Sequence, residues 1–568
     1  MGRIIQVISF LFVAISLFAQ TSWHTVWDLQ QVPFYPENTS SEFAKVIAGF
    51  DTDQDGWGEF ICGITFMDSN YVFMYEATGD NTYELVWYFK FPTEGDQWFG
   101  AAVGDVDNNG VVDIVLGWPA NVTIEDPNPA RIFVFEWNQV QGENKYGKEQ
   151  NDGTFKPTNS THFDIPDGIA WYPFSMLIED VDKDDVNELV IGVRGGGRGR
   201  EVMVVSVTGG PLSGFGQWNI EYNFRNTEGG SNFATITGDL DNDGNTDIFE
   251  MVWNHFTLRM FEVTGPDTYE HVNDIEELYG AQQIDYGAVD GVRISDINHD
   301  GKNELFICGT ETPNALFLIQ NVDDISAITA NDIIEFYHIP KKIKPNGTPI
   351  PESQLRNMVI ADPDEDGKPS LLIAGATNGQ IFDLEYKGQG DLDNPDSWEL
   401  TVAYDAFERA AEEIGQDSAS HLSPRLYYGS FAGDMDQDGL NEYVFVNYST
   451  DKDIWSSDNY VVVIESDKAT DIKTENNHIP NKLKLNQNYP NPFNPSTKIS
   501  FSVPPNASRV KLEIYDILGR TIETLINREM PPGNYSVNFD ATNLPSGIYI
   551  YKLSANNLVK IKKMVLQK

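Results

Sequence analysis

Seven times along this chain, acidic residues alternate with other residues and are followed by a glycine or its stand-in. The clearest copy is Asp239-Leu-Asp-Asn-Asp-Gly-Asn-Thr-Asp247, with carboxylates at loop positions one, three, five and nine and glycine at position six. Side-chain oxygens at alternate positions of a tight loop point inward, and the glycine permits a sharp reversal. Position seven can add a backbone carbonyl and position nine a final side-chain oxygen, the hard-oxygen set that Ca²⁺ prefers. The copies are Asp51-Asp53-Asp55-Glu59, Asp105-Asp107-Asn109-Asp113, Asp180-Asp182-Asp184-Glu188, Asp239-Asp241-Asp243-Asp247, Asp296-Asn298-Asp300-Glu304, Asp362-Asp364-Asp366 and Asp434-Asp436-Asp438-Glu442. Their first aspartates lie 54, 75, 59, 57, 66 and 72 residues apart. Two copies depart from the pattern. The third has Asp185 where glycine is expected, the sixth has Ser370 where the closing acid is expected, and these two are expected to bind metal weakest. Acidic turns without metal are the alternative for any single copy, but a recurring array favours calcium.

The surroundings of each loop also recur. A short strand of small and apolar residues precedes it, as at 43–50, 99–104, 174–178, 233–238 and 428–433. A β-branched or aromatic strand follows, such as Glu59-Phe-Ile-Cys-Gly-Ile64 or Asp113-Ile-Val-Leu-Gly117. A third strand comes next, as in Tyr71-Val-Phe-Met-Tyr-Glu76, Arg131-Ile-Phe-Val-Phe-Glu136 and Leu258-Arg-Met-Phe-Glu-Val263, and then a less regular fourth. Helical periodicity is confined to residues 405–414. Seven four-stranded units predict an all-β protein whose main body is a seven-bladed β-propeller, a ring with few exposed sheet edges. The last unit runs out after its third strand at 460–465. The segment Ser22-Trp-His-Thr-Val-Trp-Asp-Leu29 therefore supplies the missing fourth strand and closes the ring.

Phe99-Gly-Ala-Ala-Val-Gly-Asp105 through Gly117-Trp-Pro119 resemble the FG-GAP repeats of integrin α-subunits and related bacterial propellers. The resemblance spans roughly residues 22–466. It implies seven blades with calcium in the loop between strands one and two, held by the residues already named. Members of that family include adhesion modules, lectin-like proteins and non-catalytic parts of enzymes, so the fold leaves the activity open.

The chain has 568 residues and a formal net charge of −48. Seven divalent cations would leave it strongly acidic, which argues against nucleic acid or an anionic membrane as partner. Residues 1–19 read as a secretory signal peptide, with Arg3, an apolar stretch and Ala19 at the cleavage side. No other segment is apolar enough to span a bilayer, so no transmembrane anchor is expected in the mature chain. Cys62 and Cys308 follow calcium loops one and five and read as two buried thiols rather than a disulfide or metal pair.

Residues 467–484 form a polar linker, and then the charge reverses. From Lys484 onward, eleven Lys/Arg stand against five Asp/Glu. Alternating strands with Gly/Pro turns predict a small Ig-like β-sandwich at 485–568. Its words, Leu485-Asn-Gln-Asn-Tyr-Pro-Asn-Pro-Phe-Asn-Pro-Ser-Thr497, Val510-Lys-Leu-Glu-Ile-Tyr-Asp-Ile-Leu-Gly-Arg520 and Leu544-Pro-Ser-Gly-Ile-Tyr-Ile-Tyr551, resemble the type A C-terminal sorting domain of the bacterial type IX secretion system. That resemblance implies the type IX machinery as a partner and delivery to the outer surface of a Gram-negative bacterium or to the medium. There the cargo is released or attached to surface lipopolysaccharide.

No catalytic constellation stands out: there is no nucleophile elbow, phosphate-cradling loop or zinc motif. Gly195-Gly-Gly-Arg-Gly-Arg200 lies between two strands and reads as a hairpin. Three functions stay open: a glycan- or protein-binding adhesion module, which is favoured, a calcium-dependent polysaccharide-degrading enzyme, and a structural surface-layer component. Propeller connectivity places the strand-two-to-three turns and the interblade links on the face opposite calcium. That face is expected to carry Trp98, Trp118, Trp171, Tyr172, Arg198, Trp253, His255, Tyr286, Arg425, Tyr427 and Trp455, with aromatic rings exposed for a ligand.

Overall fold

A computed structural model describes residues 22–34, 42–66, 69–95, 98–209, 215–226, 231–252, 257–275, 291–309, 314–350, 354–448 and 450–467 of one compact unit. It also describes 483–485, 488, 491, 493–503, 509–529, 533–541, 544–555 and 558–568 of a second. The leader (1–19), most of the linker, and Trp253, His255 and Tyr286 lie outside the described residues.

The first unit is built from four-stranded antiparallel sheets, seven among the described residues, in which strands follow one another in sequence except in the second sheet, where a hairpin intervenes, and in the seventh, which takes one strand from the start of the unit. The first sheet comprises Glu42–Phe50, Glu59–Phe66, Ser69–Gly79 and Thr82–Lys90. The second comprises Gly100–Gly104, Asp113–Gly117, Ile132–Glu136 and Asn159–Thr161. The third spans Trp171–Glu179 to Gln217–Asn226 and the fourth Asn232–Gly238 to Thr268–Ile275. The fifth runs from Gly291–Ser295 to Ile334–His338, and the sixth from Asn357–Ala361 to Trp398–Asp405. The seventh takes Leu426–Gly433, Asn441–Asn447 and Val461–Ser466 from the end of the unit and Trp23–Asp28 from its beginning. The segment at 22–29 therefore completes the last sheet, as the sequence predicts.

Two strands of each sheet are buried on both faces, which explains their continuous apolar runs: Asp113–Gly117, Asp247–Val252 and Asn441–Asn447 are buried at every residue. The outer strands are half-buried and read less regularly, as in Gln217–Asn226. The core is divided into clusters between successive sheets. Leu116 and Phe133 of the second sheet pack with Ile61 and Met74 of the first. Similar clusters join the second sheet to the third, and so on through the sixth and seventh. Phe43 and Phe60 of the first sheet pack with Val444 and Val463 of the seventh. The helix Ala406–Ile414, capped by Asp405, follows the sixth sheet, and its Phe407 and Ala410 pack with Trp455. Cys62 and Cys308 are buried thiols, not joined in a disulfide, in the first and fifth sheets.

The second unit has a three-stranded sheet, with Ser496–Val503 between Lys484–Leu485 and Gly533–Asp540, and a four-stranded sheet ordered Thr521–Glu529, Arg509–Tyr515, Gly547–Ala555 and Leu558–Leu566. The two share one core in which Ile499 and Phe501 meet Leu512, Ile514, Tyr551 and Leu553. Alternation along Gly547–Ala555 turns Tyr549, Tyr551 and Leu553 inward.

The N-terminal strand ties the ends of the first unit together through Trp27. Its ring meets Phe60, Tyr75 and Tyr83 of the first sheet at centroid distances of 5.9, 5.4 and 5.6 Å, while its backbone pairs with the seventh. Trp27→Ala should cost about 3 kcal/mol of stability, measurable as a lower denaturation midpoint with an unchanged slope. A midpoint equal to that of the parent would contradict this role for Trp27.

Candidate metal centres

All seven acidic loops fold alike. Position six takes a positive φ in every copy: 96° at Gly56, 84° at Gly110, 93° at Gly244, 87° at Gly301, 84° at Gly367 and 92° at Gly439. Asp185 takes 71°, a left-handed conformation that aspartate tolerates better than most residues. Its amide donates to Asp180 Oδ2 at 3.1 Å, just as Gly56 N donates to Asp51 Oδ2 at 3.0 Å. The expected defect in the third loop is therefore absent from its backbone geometry. Position four is also left-handed throughout, from Gln54 at 60° to Gln437 at 62°. Nothing in the residue types there (Gln, Asn, Lys, Asn, His, Glu, Gln) announces this.

The closing acid does two things. One of its oxygens accepts from the position-two amide: Thr52 N to Glu59 Oε2 at 2.9 Å, Val106 N to Asp113 Oδ2 at 3.1 Å, Val181 N to Glu188 Oε2 at 2.9 Å and Leu240 N to Asp247 Oδ2 at 2.9 Å. Ile297 N to Glu304 Oε2 and Met435 N to Glu442 Oε2 repeat the bond at 3.1 and 2.6 Å. The other oxygen is buried without a hydrogen-bond partner in Asp113 and Glu442, as is one oxygen each of Asp107, Asp182 and Asp239. Buried carboxylate oxygens with no donor are costly unless a cation satisfies them. Three-carboxylate groups able to hold an ion include Asp51/Asp53/Glu59, Asp105/Asp107/Asp113 and Asp180/Asp182/Glu188. The residues thus fit a hard divalent cation.

The sixth loop differs in a coherent way. Pro363 at position two has no N–H to donate, and Ser370 at position nine has no carboxylate to receive it. The loop carries a cation of its own, which offsets part of its charge: the Lys368 ammonium contacts Asp366 and lies 3.4 Å from Glu385 Oε1.

A second set of carboxylates escaped the sequence reading. The residue paired across the sheet from the closing position is Glu76 opposite Glu59, Glu136 opposite Asp113, Glu262 opposite Asp247, Glu385 opposite Ser370 and Glu465 opposite Glu442. Glu76 joins Asp53 and Asp55 in a further group able to hold a metal. The signal was present, since the third-strand strings carry Glu76, Glu136 and Glu262 at one register position.

The loops also touch their neighbours. Asn187, Asn303 and Asn441, all at position eight, donate to the backbone oxygens of Asp105, Asp239 and Pro363 in the preceding loop, at 2.8, 2.6 and 3.0 Å. The position-three aspartates accept from the following sheet: Asp182 from Asp267 N, Asp241 from Ile325 N and Asp436 from Asn81 N, at 2.5, 3.2 and 2.6 Å.

The predicted ligand-face residues fare differently. Trp118, Trp171 and Trp455 are buried rather than exposed. Trp118 stacks on Phe91 at 4.2 Å, Trp171 meets Phe163 edge-on and Trp455 donates to Glu413 Oε2 at 2.8 Å. Rings that large gain more from packing between elements than from display at a strand end. Trp98 and Tyr427 do come together, stacked at 6.0 Å, but they too are buried, among Phe174, Phe233, Tyr428 and Tyr448. Two arginines that sequence did not single out complete this cluster. The guanidinium of Arg194 lies 5.9 Å, and that of Arg356 5.7 Å, from the Trp98 ring centre. Tyr172 is half-buried beneath Arg194, Arg198 pairs with Glu201 at 3.0 Å, and Arg425 is exposed. The Gly195–Arg200 stretch is the expected hairpin.

An array of buried acidic loops on four-stranded sheets, followed by a two-sheet tail, defines the class of this chain. Residues 51–116 match the model of the FG-GAP-like repeat, and residues 487–567 match the secretion system C-terminal sorting domain, the type IX tail. That tail indicates secretion to the cell surface or extracellular space, and no helix among the described residues is long and apolar enough to cross a membrane. No curated protein matches the chain. Among solved structures, it is similar to a chain of an active polycomb repressive complex 2 in the basal state, with 10% identity, 77% of this chain and 97% of that one covered, and TM-score 0.38. It is similar to a humanized mutant of the Chaetomium thermophilum polycomb repressive complex 2 bound to the inhibitor GSK343 (9%, 69% and 76%, TM-score 0.36) and to the S. cerevisiae core factor (10%, 79% and 61%, TM-score 0.35). Likenesses this distant bear on neither the fold nor the function.

Burial, reinforced by the neighbouring carboxylates, raises the closing acids far above the ordinary carboxylate range. Glu59, Glu188 and Glu442 rise to about 9, Asp113 and Asp247 to about 8 and Glu304 to about 7. Without a cation the folded chain keeps these protons at pH values where the unfolded chain has lost them. Their stabilising contribution is then complete below the usual carboxylate range and is lost as pH rises through about 7 to 9. Protein stripped of divalent cations should therefore melt at a lower temperature at about pH 8.5 than at about pH 6, and restored calcium should remove most of the difference. Equal melting temperatures in the stripped protein would contradict this.

Proposed function

We propose that this chain is an exported, calcium-stiffened seven-bladed β-propeller that serves as an extracellular binding module of a Gram-negative bacterium. Residues 22–466 form the propeller and residues 467–482 a linker; an Ig-like sorting domain that addresses the protein to the type IX machinery starts at Leu483, two residues before the boundary expected from sequence, because Leu483 and the strand Lys484–Leu485 belong to the sandwich. Residues 1–19 act as the signal peptide for the first membrane. The propeller reading is supported by the clusters between successive sheets, which run from the first sheet round to the seventh and back to the first.

The observation that carries the calcium role is the split behaviour of the closing acids Asp113 and Glu442, one oxygen on a backbone amide and the other buried without a donor. A catalytic metal is needed once, whereas these loops recur in every sheet and contact the next. Calcium is therefore structural. The ion would be held by the aspartates, asparagines and glutamates of loops one to five and seven, and Lys368 takes its place in loop six. Binding rather than catalysis follows from this division of labour: the carboxylates are committed to the frame, and the frame holds loops and clefts in fixed positions. Either a glycan or a protein is compatible with such a frame. The inference below favours a glycan.

The test is a metal count and a glycan array on the same preparation. Calcium titration into stripped protein should saturate at six ions per chain, and the melting temperature should rise by ten degrees or more. The loaded protein should retain glycans without cleaving them. Saturation at one ion, or release of shortened products, would contradict this reading.

A further inference from the structure

The turn between the third and fourth strands is two residues long in the first and fourth sheets, at 80–81 and 266–267. In the second sheet it is residues 137–158, an insertion with its own hairpin, Lys148–Glu149 paired with Phe155–Lys156. One end of this insertion is fixed to the first acidic loop. Asn144 Nδ2 donates to Asp53 Oδ2 at 3.1 Å and to Glu76 Oε1 at 2.6 Å, and the Tyr146 and Thr52 hydroxyls share a hydrogen bond of 2.5 Å. Trp87 packs edge-to-face on Tyr146, 5.9 Å away, and lies 6.4 Å from Phe155. The insertion is thus a rigid arm rather than a loose loop.

The other end of the arm walls a cavity of about 650 Å³ between the first and second sheets. That volume falls within the range of roughly 300–1,000 Å³ typical of ligand sites. Its inner wall is aromatic, formed by the buried Phe89 of the first sheet and Phe133 of the second, with the half-buried Phe155 of the arm. At the rim stand the exposed side chains of Lys156 and Asp126. Tyr88 and Lys90 turn to the other face of the first sheet, where the Lys90 ammonium lies over the Tyr71 ring at 5.5 Å. An aromatic wall with a donor and an acceptor beside it matches a pyranose. Its C–H face is apolar and its edge carries hydroxyls that both donate and accept. The charge of the chain selects further. At a net −48, the molecule repels polyanions, and Lys156 and Asp126 at the rim cancel, which leaves no net local positive charge to hold a carboxylate or sulfate.

We propose that this cavity binds the end of a neutral oligosaccharide, its sugar ring packed on Phe155 and its hydroxyls held by Lys156 and Asp126. The proposal rests on the binding-module reading and specifies its ligand and its place. Calorimetric titration of the calcium-loaded full chain would use neutral tetrasaccharides of glucose, mannose, galactose and xylose, with a galacturonate tetrasaccharide as the anionic probe. At least one neutral probe should bind, and Lys156→Gln and Phe155→Ala should each raise its Kd at least tenfold. Lys341→Gln, on a separate exposed side chain, should leave Kd unchanged. The lysine variant alters an exposed side chain, so an unchanged melting temperature separates lost contacts from lost folding. Neutral binding that survives both pocket variants overturns the cavity assignment and leaves the binding-module reading standing, and so does binding of galacturonate alone. Failure of the parent protein to bind any probe or any glycan on an array overturns both.

Discussion

The structure depends on a hydrogen bond that costs the molecule a proton or a cation. In six loops the closing carboxylate reaches back to the position-two amide, which pins the loop to the start of the second strand. The same contact draws the carboxylate into a buried site beside two or three others, and burial raises its proton affinity. Such a site favours a proton on the carboxylate and has the oxygens to hold a cation in its place. In the sixth loop both partners of the bond are absent, as Pro363 and Ser370, and an ammonium from Lys368 stands in for the positive charge.

That constraint is local, but its consequences extend round the unit. Each sheet buries most of its inner strands, so each gains from a neighbour on both faces, and Phe43 and Phe60 of the first sheet pack with Val444 and Val463 of the seventh. Trp23–Asp28 completes the seventh sheet, and Trp27 carries the contact across to the first. At the loop end, asparagines at position eight and aspartates at position three extend the contact from one sheet to the next. Hydrophobic clusters supply cohesion between sheets, and the acidic loops fix their registration.

Much of this was legible in the chain. Alternating aspartates, a glycine and a closing acid specify a loop because each residue type has one geometric job there. The flanking apolar runs specify buried strands by the same logic. The order of strands in the seventh sheet could be read because one strand was missing at one end and spare at the other. Other features had no one-dimensional signal. Asp185 keeps the third loop intact because aspartate tolerates a positive φ, which residue-type matching scores as a defect. The aromatic residues at strand ends were expected to be exposed, but Trp118, Trp171 and Trp455 are buried. A strand end is a place in the sequence, and burial is decided by what packs beside it. Arg194 and Arg356 come together around Trp98 from different sheets, and no spacing along the chain encodes that meeting. Glu76, Glu136 and Glu262 were visible as a repeated letter and became meaningful only once the register placed them opposite the closing acids.

Hydrogen exchange, compared with and without calcium, tests most directly whether cation-bridged loops hold this unit together. The position-two amides of Thr52, Val106, Val181, Leu240, Ile297 and Met435 are bonded to the closing acids and should be protected in calcium. Chelation should expose them together with the position-six amides of the same loops. The amides of Asp366 and Gly367, in the loop that carries Lys368, should exchange at the same rate in both conditions. Uniform loss of protection across all seven loops, or no change in any, would contradict the account.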